Sequence, residues 1–198
     1  MDEVHELLET FEQYDNVHLP RLVQTLHATI EGRDFDLDIA NAILRLYRFY
    51  PSDFDADTAA SILMGALMQL PENDFTLCLS LLHPSSLEHE KVKQVLHMHE
   101  LLETCDFVEF WAYLREHEDL LDLKLKSPVE YDDLTDEEYE RMQNGEEVEP
   151  RILHEEMVLT CHLSDFKTSI LEYIAHIVTA TYQTIPKSTI EKLTGDLD

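Results

Sequence analysis

Prolines and aspartates cut the N-terminal part of this chain into segments of helix length. Pro20, Pro51, Pro71 and Pro84 stand where helices begin or end, because proline has no amide hydrogen to donate within a helix. The chain of 198 residues has only 4 glycines, and its β-branched runs are short, which disfavours sheet. We therefore predict an all-α protein in which consecutive antiparallel helices pack into a solenoid-like layer.

Within each segment, apolar residues recur every three or four positions, the spacing of one buried helix face. Aspartates and a Ser-Glu pair supply helix N-caps and a capping box. The predicted helices span about 4–14, Pro20 to Gly32, Asp36 to Tyr50, Asp55 or Asp57 to Leu70, about 74–83, Ser85 to Thr104, and Asp106 to Leu121.

The pattern changes after residue 123. Residues 124–150 are rich in acid and poor in aliphatic side chains, which indicates a solvated loop or linker, with a brief helix possible from Thr135. The alternative is an acidic arm that docks on a basic partner. We predict three parts: a helical domain over 1–123, an acidic insertion over 124–163, and a second helical region over 164–198.

Helical character returns after Pro150. One apolar stripe runs along a helix of roughly five turns, and Pro186 then begins a further short helix that carries Ile190 and Leu193. The stripe consists of Phe166, Ile170, Tyr173, Ile174, Ile177 and Thr181.

The charge of the chain excludes some classes of partner. It carries 42 acidic and 14 basic residues, a net charge of -28 at pH 7. Such a surface repels phosphate backbones and anionic lipids, so we expect neither direct nucleic-acid binding nor membrane association. The acidic N-terminus does not resemble a signal peptide, and the apolar run 59–68 is too short to span a bilayer. A soluble, intracellular protein is expected.

Three cysteines, Cys78, Cys105 and Cys161, are spaced widely and form no CxxC pair. Each lies in a segment that we predict to be helical and apolar. We therefore expect free, buried thiols in a reducing compartment.

The hexapeptide HELLET occurs twice, at residues 5–10 and 99–104. It approaches the HExxH motif of zinc proteases, but Glu103 replaces the second histidine in the later copy. On a helical wheel, His99 and Glu103 lie on the shoulder of the apolar stripe, whereas His5 and Glu9 face solvent. We predict His–Glu helix pairs in both copies and no metal site. The sequence has no GxSxG and no phosphate-binding glycine loop, so neither an enzyme nor a cofactor is expected.

Four stretches carry a family resemblance. LYRFYPSDFDADTAASILMGAL (46–67), LPENDFTLC (70–78), LLETCDFVEFWAYLREHEDLL (101–121) and FKTSILEYIAHIVTATYQTIPKSTIEKLTGDL (166–197) resemble the K subunit family of eukaryotic translation initiation factor 3. The resemblance implies HEAT-like helical pairs followed by a winged helix of the PCI class. It implies a non-catalytic, cytoplasmic subunit that contributes to initiation of protein synthesis.

The resemblance also implies partners: the L subunit, other subunits of the same factor, and the small ribosomal subunit through the complex. The alternative is a PCI-type scaffold of the proteasome lid or signalosome. The positions that match the start of the partner-binding region are Phe166, Ile170, Tyr173, Ile174, Ile177, Ile190 and Leu193.

Two departures from the family pattern affect this expectation. Residues 124–163 intervene where the family passes almost directly into the winged helix. The sequence stops at Asp198, where the family continues into a third helix and a β-hairpin wing. We therefore expect a truncated winged helix whose apolar stripe is incompletely covered.

Overall fold

The computed structural model describes residues 2–31, 35–127, 130–131, 152–154, 157–162 and 165–195. These residues are predominantly helical, which confirms the predicted fold class. The helices are α1 Asp2–Leu8, α2 Leu19–Glu31, α3 Leu37–Phe49, α4 Ala56–Leu67, α5 Asp74–Leu81, α6 Glu90–Glu103, α7 Phe107–Glu116, α8 Phe166–Thr181 and α9 Lys187–Leu193. The strands are β1 Asp122–Ser127, β2 Glu130–Tyr131, β3 Ile152–His154 and β4 Met157–His162.

Aspartate side chains cap three of these helices, α3, α4 and α7, as the sequence predicted. The Asp36 carboxylate accepts hydrogen bonds from the amides of Asp38 and Ile39 and caps α3. Asp55 accepts from the Thr58 amide and caps α4. Each bond satisfies an amide that the first helical turn leaves unpaired.

Other predicted boundaries were wrong. Ser85 forms no capping bond, and a short 3-10 turn precedes α6, which begins at Glu90. Helix α7 ends at Glu116, because a 3-10 turn over Glu118–Leu121 then redirects the chain into β1. The stop predicted at Gly32 and the brief helix predicted from Thr135 lie outside the described residues.

Helix α4 lies at the centre of the fold, and every residue from Thr58 to Leu67 is buried. A helix that is apolar all round needs neighbours on every side. It contacts α3, α5, α6 and β1. Gly65 permits one of these contacts, because a Cβ there would come within 2.7 Å of Cδ2 of Phe35.

The strands were not predicted. β1 pairs with β4 in antiparallel register, with Leu125 opposite Leu159, and β2 pairs with β3. Leu123 and Leu125 are fully buried while Lys124 is exposed, and β1 packs against α2 and α4. The linker interpretation therefore fails for β1 and β4. The acidic composition of the segment hid the period-two alternation of DLKLKS.

A left-handed residue and a shared aspartate join α6 to α7. Cys105 has φ 58, the Cys105 amide donates to the Leu102 carbonyl at 3.1 Å, and the Asp106 amide donates to the Leu101 carbonyl at 2.8 Å. This is the Schellman pattern that ends a helix. The Asp106 side chain then accepts from the Glu109 amide at 3.3 Å and caps α7. One residue thus closes one helix and opens the next.

Candidate interaction surface

The predicted apolar stripe on α8 divides between core and surface. Phe166, Ile170 and Ile174 are essentially fully buried. The Phe166 ring lies 6.5 Å from that of Phe110, and the Tyr173 ring meets Phe107 edge-on at 6.4 Å. Helix α8 is therefore attached to α7 through the aromatic residues that the sequence placed in a helical pair.

This burial narrows the set of residues that we predicted to contact a partner. Phe166 and Ile170 are core side chains, so a partner cannot reach them without displacing the elements that cover them. Ile174 is equally buried, but it borders an open groove between α8 and α9. Tyr173, Ile177, Ile190 and Leu193 remain partly or well exposed. That a partner binds these four residues stays a prediction.

Helices α8 and α9 enclose an apolar groove of about 380 Å³. The Ile190 side chain is 40% exposed at this groove. The hydroxyls of Thr179 and Thr194 donate to carbonyls of their own helices, at 2.8 Å to Ala175 and 3.0 Å to Ile190. The groove is lined by Leu171, Ile174, Ala175, Val178, Thr179, Ile190, Leu193 and Thr194.

The sequence reasoning missed three apolar lining residues and both lining threonines, and four of its seven predicted residues lie elsewhere, with Phe166 and Ile170 in the core. Leu171, Ala175 and Val178 line the groove, whereas Tyr173 and Ile177 do not. A signal was present, because these three residues repeat at spacings of four and three and form a second stripe beside the first.

Trp111 fixes the end of α9 against α7. Its indole Nε1–H donates to the Leu193 carbonyl at 2.9 Å. Gly195 follows with φ 79, and a Cβ at that position would lie 2.8 Å from Cγ of Trp111. Only glycine combines this left-handed backbone with such close approach to the ring. One wall of the groove is therefore held in place by a specific contact.

One ion pair lies on α9, outside the lining of the groove. Lys187 and Glu191 pair across one turn of α9, at 3.4 Å between Nζ and Oε1. Burial raises the pKa of Tyr173, and the neighbouring Cys105 and Glu103 groups raise it further. The lining of the groove is apolar apart from two threonines, as the centres of protein–protein contacts commonly are.

The two HELLET copies have different surroundings. In the second copy, the His99 ring stacks on Phe75 at 3.9 Å, and its Nε2 lies 3.6 Å from Oε1 of Glu103. Burial lowers the pKa of His99, and Glu103 opposes that shift. This places His99 on the shoulder of α6, as predicted.

In the first copy, the predicted pair with Glu9 is wrong. Nε2 of His5 lies 3.0 Å from Oδ2 of Asp36, the residue that caps α3. His5 therefore ties α1 to the beginning of α3. Within the part of the chain that the structure describes, no cluster of three or more His, Cys, Asp or Glu has a metal-binding arrangement.

The cysteine prediction holds for one site only. Cys78 is buried in α5, but Cys105 is exposed at the α6–α7 turn. Cys161 belongs to strand β4 and not to a helix. Among the described helices, none has the length and apolar character required to cross a bilayer.

Comparisons with known proteins agree with the resemblance. A family model for the CSN8/PSMD8/EIF3K family matches residues 53–124. The chain is 28% identical over 194 residues to eukaryotic translation initiation factor 3 subunit K from Homo sapiens, covering 98% of this chain and 71% of the relative. Subunit K from Xenopus tropicalis gives the same figures. Subunit K from Anopheles gambiae is 27% identical over 195 residues.

The family match covers the four helices α4 to α7, which include the centre of the fold and the helix on which α8 rests. The relatives extend the similarity over almost the whole chain, including both helices of the groove. Residues 53–124 therefore match the CSN8/PSMD8/EIF3K family, and almost the whole chain is similar to subunit K of eukaryotic translation initiation factor 3.

Proposed function

We propose that this protein is a non-catalytic structural subunit of eukaryotic translation initiation factor 3. It acts in the cytoplasm, through protein–protein contacts within the complex on the small ribosomal subunit. The observation that carries the proposal is the similarity to subunit K over 98% of the chain. The partners come from the resemblance, which implies the L subunit first.

The chemistry of the described side chains supports a structural role. Burial raises the pKa of Cys78 to about 12, so at neutral pH the side chain is a thiol that packs and not a nucleophile. Burial also raises the pKa of Tyr47, which lies in the core beside Thr58. These shifts arise from packing, and neither group lines the α8–α9 groove.

The α8–α9 groove is the surface that we assign to the L subunit. An aliphatic helix face fits such a groove through anchors at helical spacing. Ile190 and Leu193 form one wall, and Tyr173 and Ile177 lie on the neighbouring face of α8. Contact across both faces would involve all four of the predicted residues that remain accessible.

A native pull-down tests both proposals, that the protein is a subunit of the factor and that the α8–α9 groove binds the L subunit. Tagged wild-type chain is expected to recover the L subunit, other factor subunits and small ribosomal subunits. Ile190→Asp places a charge in the groove and should reduce recovery of the L subunit at least tenfold, since burying an unpaired carboxylate is strongly unfavourable. Leu77→Asp, on the exposed face of α5, is the matched control and should leave recovery unchanged.

Recovery of the tagged chain without any factor subunit would overturn the proposal that the protein is a subunit of the factor. Recovery of the L subunit by Ile190→Asp at wild-type levels would leave membership of the factor intact but overturn the assignment of the groove to the L subunit. The alternative, a PCI-type scaffold of the proteasome lid or signalosome, is motivated by the CSN8 and PSMD8 branches of the matched family. The same experiment would then recover lid or signalosome subunits.

A further inference from the structure

Three large apolar side chains are exposed near one another, on elements other than the α8–α9 groove. Tyr14 is 42% exposed, Val17 is 47% exposed, and Phe49 is 60% exposed. The Tyr14 and Phe49 rings meet edge-on at 5.9 Å, and Val17 lies in the same α1–α2 connection as Tyr14. We name these three residues the aromatic patch.

The aromatic patch is held by bonds between separate elements. The Tyr50 hydroxyl donates to the Tyr14 carbonyl at 3.4 Å. The side-chain nitrogen Nδ2 of Asn16 donates to Oδ2 of Asp53 at 3.0 Å. This bond ties the α1–α2 connection to the turn after α3. A patch that is already ordered loses little conformational freedom when a partner binds.

Two carboxylates lie beside the patch. Asp15 lies between Tyr14 and Asn16 in sequence, and Asp53 is bonded to Asn16. Within the described ranges, neither carboxylate lies within ion-pair distance of a cation. Arg48 precedes Phe49, but consecutive helical side chains diverge by about 100° around the axis. In the described part of the chain, each carboxylate accepts hydrogen bonds from neutral groups only, so its charge is not neutralised by an ion pair. The combination of exposed aromatic rings and unneutralised carboxylates complements a cation.

We propose that the aromatic patch binds a basic segment of a partner protein. Lysine or arginine side chains stack on Tyr14 and Phe49, their charged ends pair with Asp15 and Asp53, and an aliphatic neighbour packs on Val17. The net charge of -28 disfavours both a second copy of this chain and RNA as the occupant. The inference does not depend on which complex contains the protein.

Fluorescence anisotropy of a labelled peptide tests the proposal with the full chain. The probe is the basic peptide GRLRLRG, and its acidic counterpart GELELEG reports non-specific adhesion. The basic peptide should bind saturably and the acidic one should not. Phe49→Ala and, separately, Tyr14→Ala should each weaken binding about fivefold, as expected for loss of an exposed cation–π contact with its apolar area.

Charge and location have their own controls. Asp15→Asn removes the charge but keeps an N-cap side chain, and should weaken binding about twofold. Val108→Ala removes an exposed apolar side chain on α7, and Glu100→Gln removes an exposed charge on α6. Both variants should bind the basic peptide as wild type does. Circular dichroism confirms that each variant is folded.

Three results would overturn the proposal. The first is failure of the patch to account for binding. Either the basic peptide does not bind at all, or Phe49→Ala and Val108→Ala bind it equally, and equal binding would indicate general attraction to an acidic protein. The second is a patch-dependent affinity for oligouridine RNA, which would indicate a nucleic-acid surface. The third is a change in sedimentation of the wild-type chain that Phe49→Ala abolishes, which would indicate contact between copies.

Discussion

Helices α4 and α9 show two opposite uses of apolar residues. Every α4 residue from Thr58 to Leu67 is buried, whereas every residue of α9 keeps part of its surface exposed. Helix α4 contacts neighbours on all sides, but α9 is held mainly by the Trp111 contact at its C-terminal end. We infer that the layer around α4 provides the stability and that the α8–α9 pair provides surface for binding.

Truncation of one aliphatic side chain in each helix gives the largest expected difference. Leu63→Ala in α4 should lower the free energy of unfolding by about 3 kcal/mol, because it leaves a cavity in a packed core. Ile190→Ala in α9 should lower it by about 0.5 kcal/mol or less. Urea unfolding followed by circular dichroism measures both. Equal losses would show that α9 is part of the core, and the comparison would fail.

Gly195→Ala tests whether the docking of α9 depends on one contact. The left-handed backbone and the close Trp111 ring should make this change cost about 1–2 kcal/mol of docking free energy. The chain has a single tryptophan, so its fluorescence reports this site directly. We expect a shift toward the emission of exposed indole, with the helical signal largely kept. Lys192→Ala on the same helix is the control, and it should leave the emission unchanged.

Cys105 lies at the junction between the two regions, beside Tyr173 of α8. Cys105→Gly should raise the free energy of unfolding by about 0.5–1 kcal/mol, because glycine adopts φ 58 without steric strain. Cys105→Ala keeps the strain and should give no gain. The urea midpoints of the two variants distinguish backbone strain from any effect of the thiol. A gain in Cys105→Ala equal to that in Cys105→Gly would contradict this explanation.

The smallest expected effect comes from His99 of α6, a helix that packs against α4 in the core layer. Its pKa is lower in the folded chain than its ordinary value of 6.5, so the folded state binds fewer protons than the unfolded state as pH falls. The stabilisation is therefore complete above pH 6.5 and is lost as pH falls from there through the lowered pKa. Unfolding measured at several pH values in wild type and His99→Gln should show a weaker acid dependence in the variant. Identical slopes would exclude His99 as the source.

The sequence predicted the helical layer because its signals are local. Asp36, Asp55 and Asp106 cap the helices that they were expected to cap, and the spacing of apolar residues identified the buried faces. The β1–β4 pairing is not local, because it joins residues that an acidic segment separates in sequence. Average composition therefore outweighed a short alternating pattern in the prediction.

The candidate surface was predicted less well than the fold, for a related reason. The stripe on α8 was identified correctly as apolar, but periodicity alone does not say which apolar face meets α7 and which meets α9. Phe166 and Ile170 face the core, and Leu171 and Val178 face the groove. The aromatic patch was not predicted, because Tyr14 and Phe49 come from elements far apart in the sequence.

The junction at Asp106 also fixes the rotational phase of α7. The Asp106 amide makes the last hydrogen bond of the α6 cap, and the Asp106 side chain caps α7. The connection therefore has no spare length to absorb a change. Insertion of a single residue after Phe107 would turn the following side chains by about 100°. Phe110 and Trp111 would then point away from α8 and α9, so the orientation of the whole groove depends on the length of this turn.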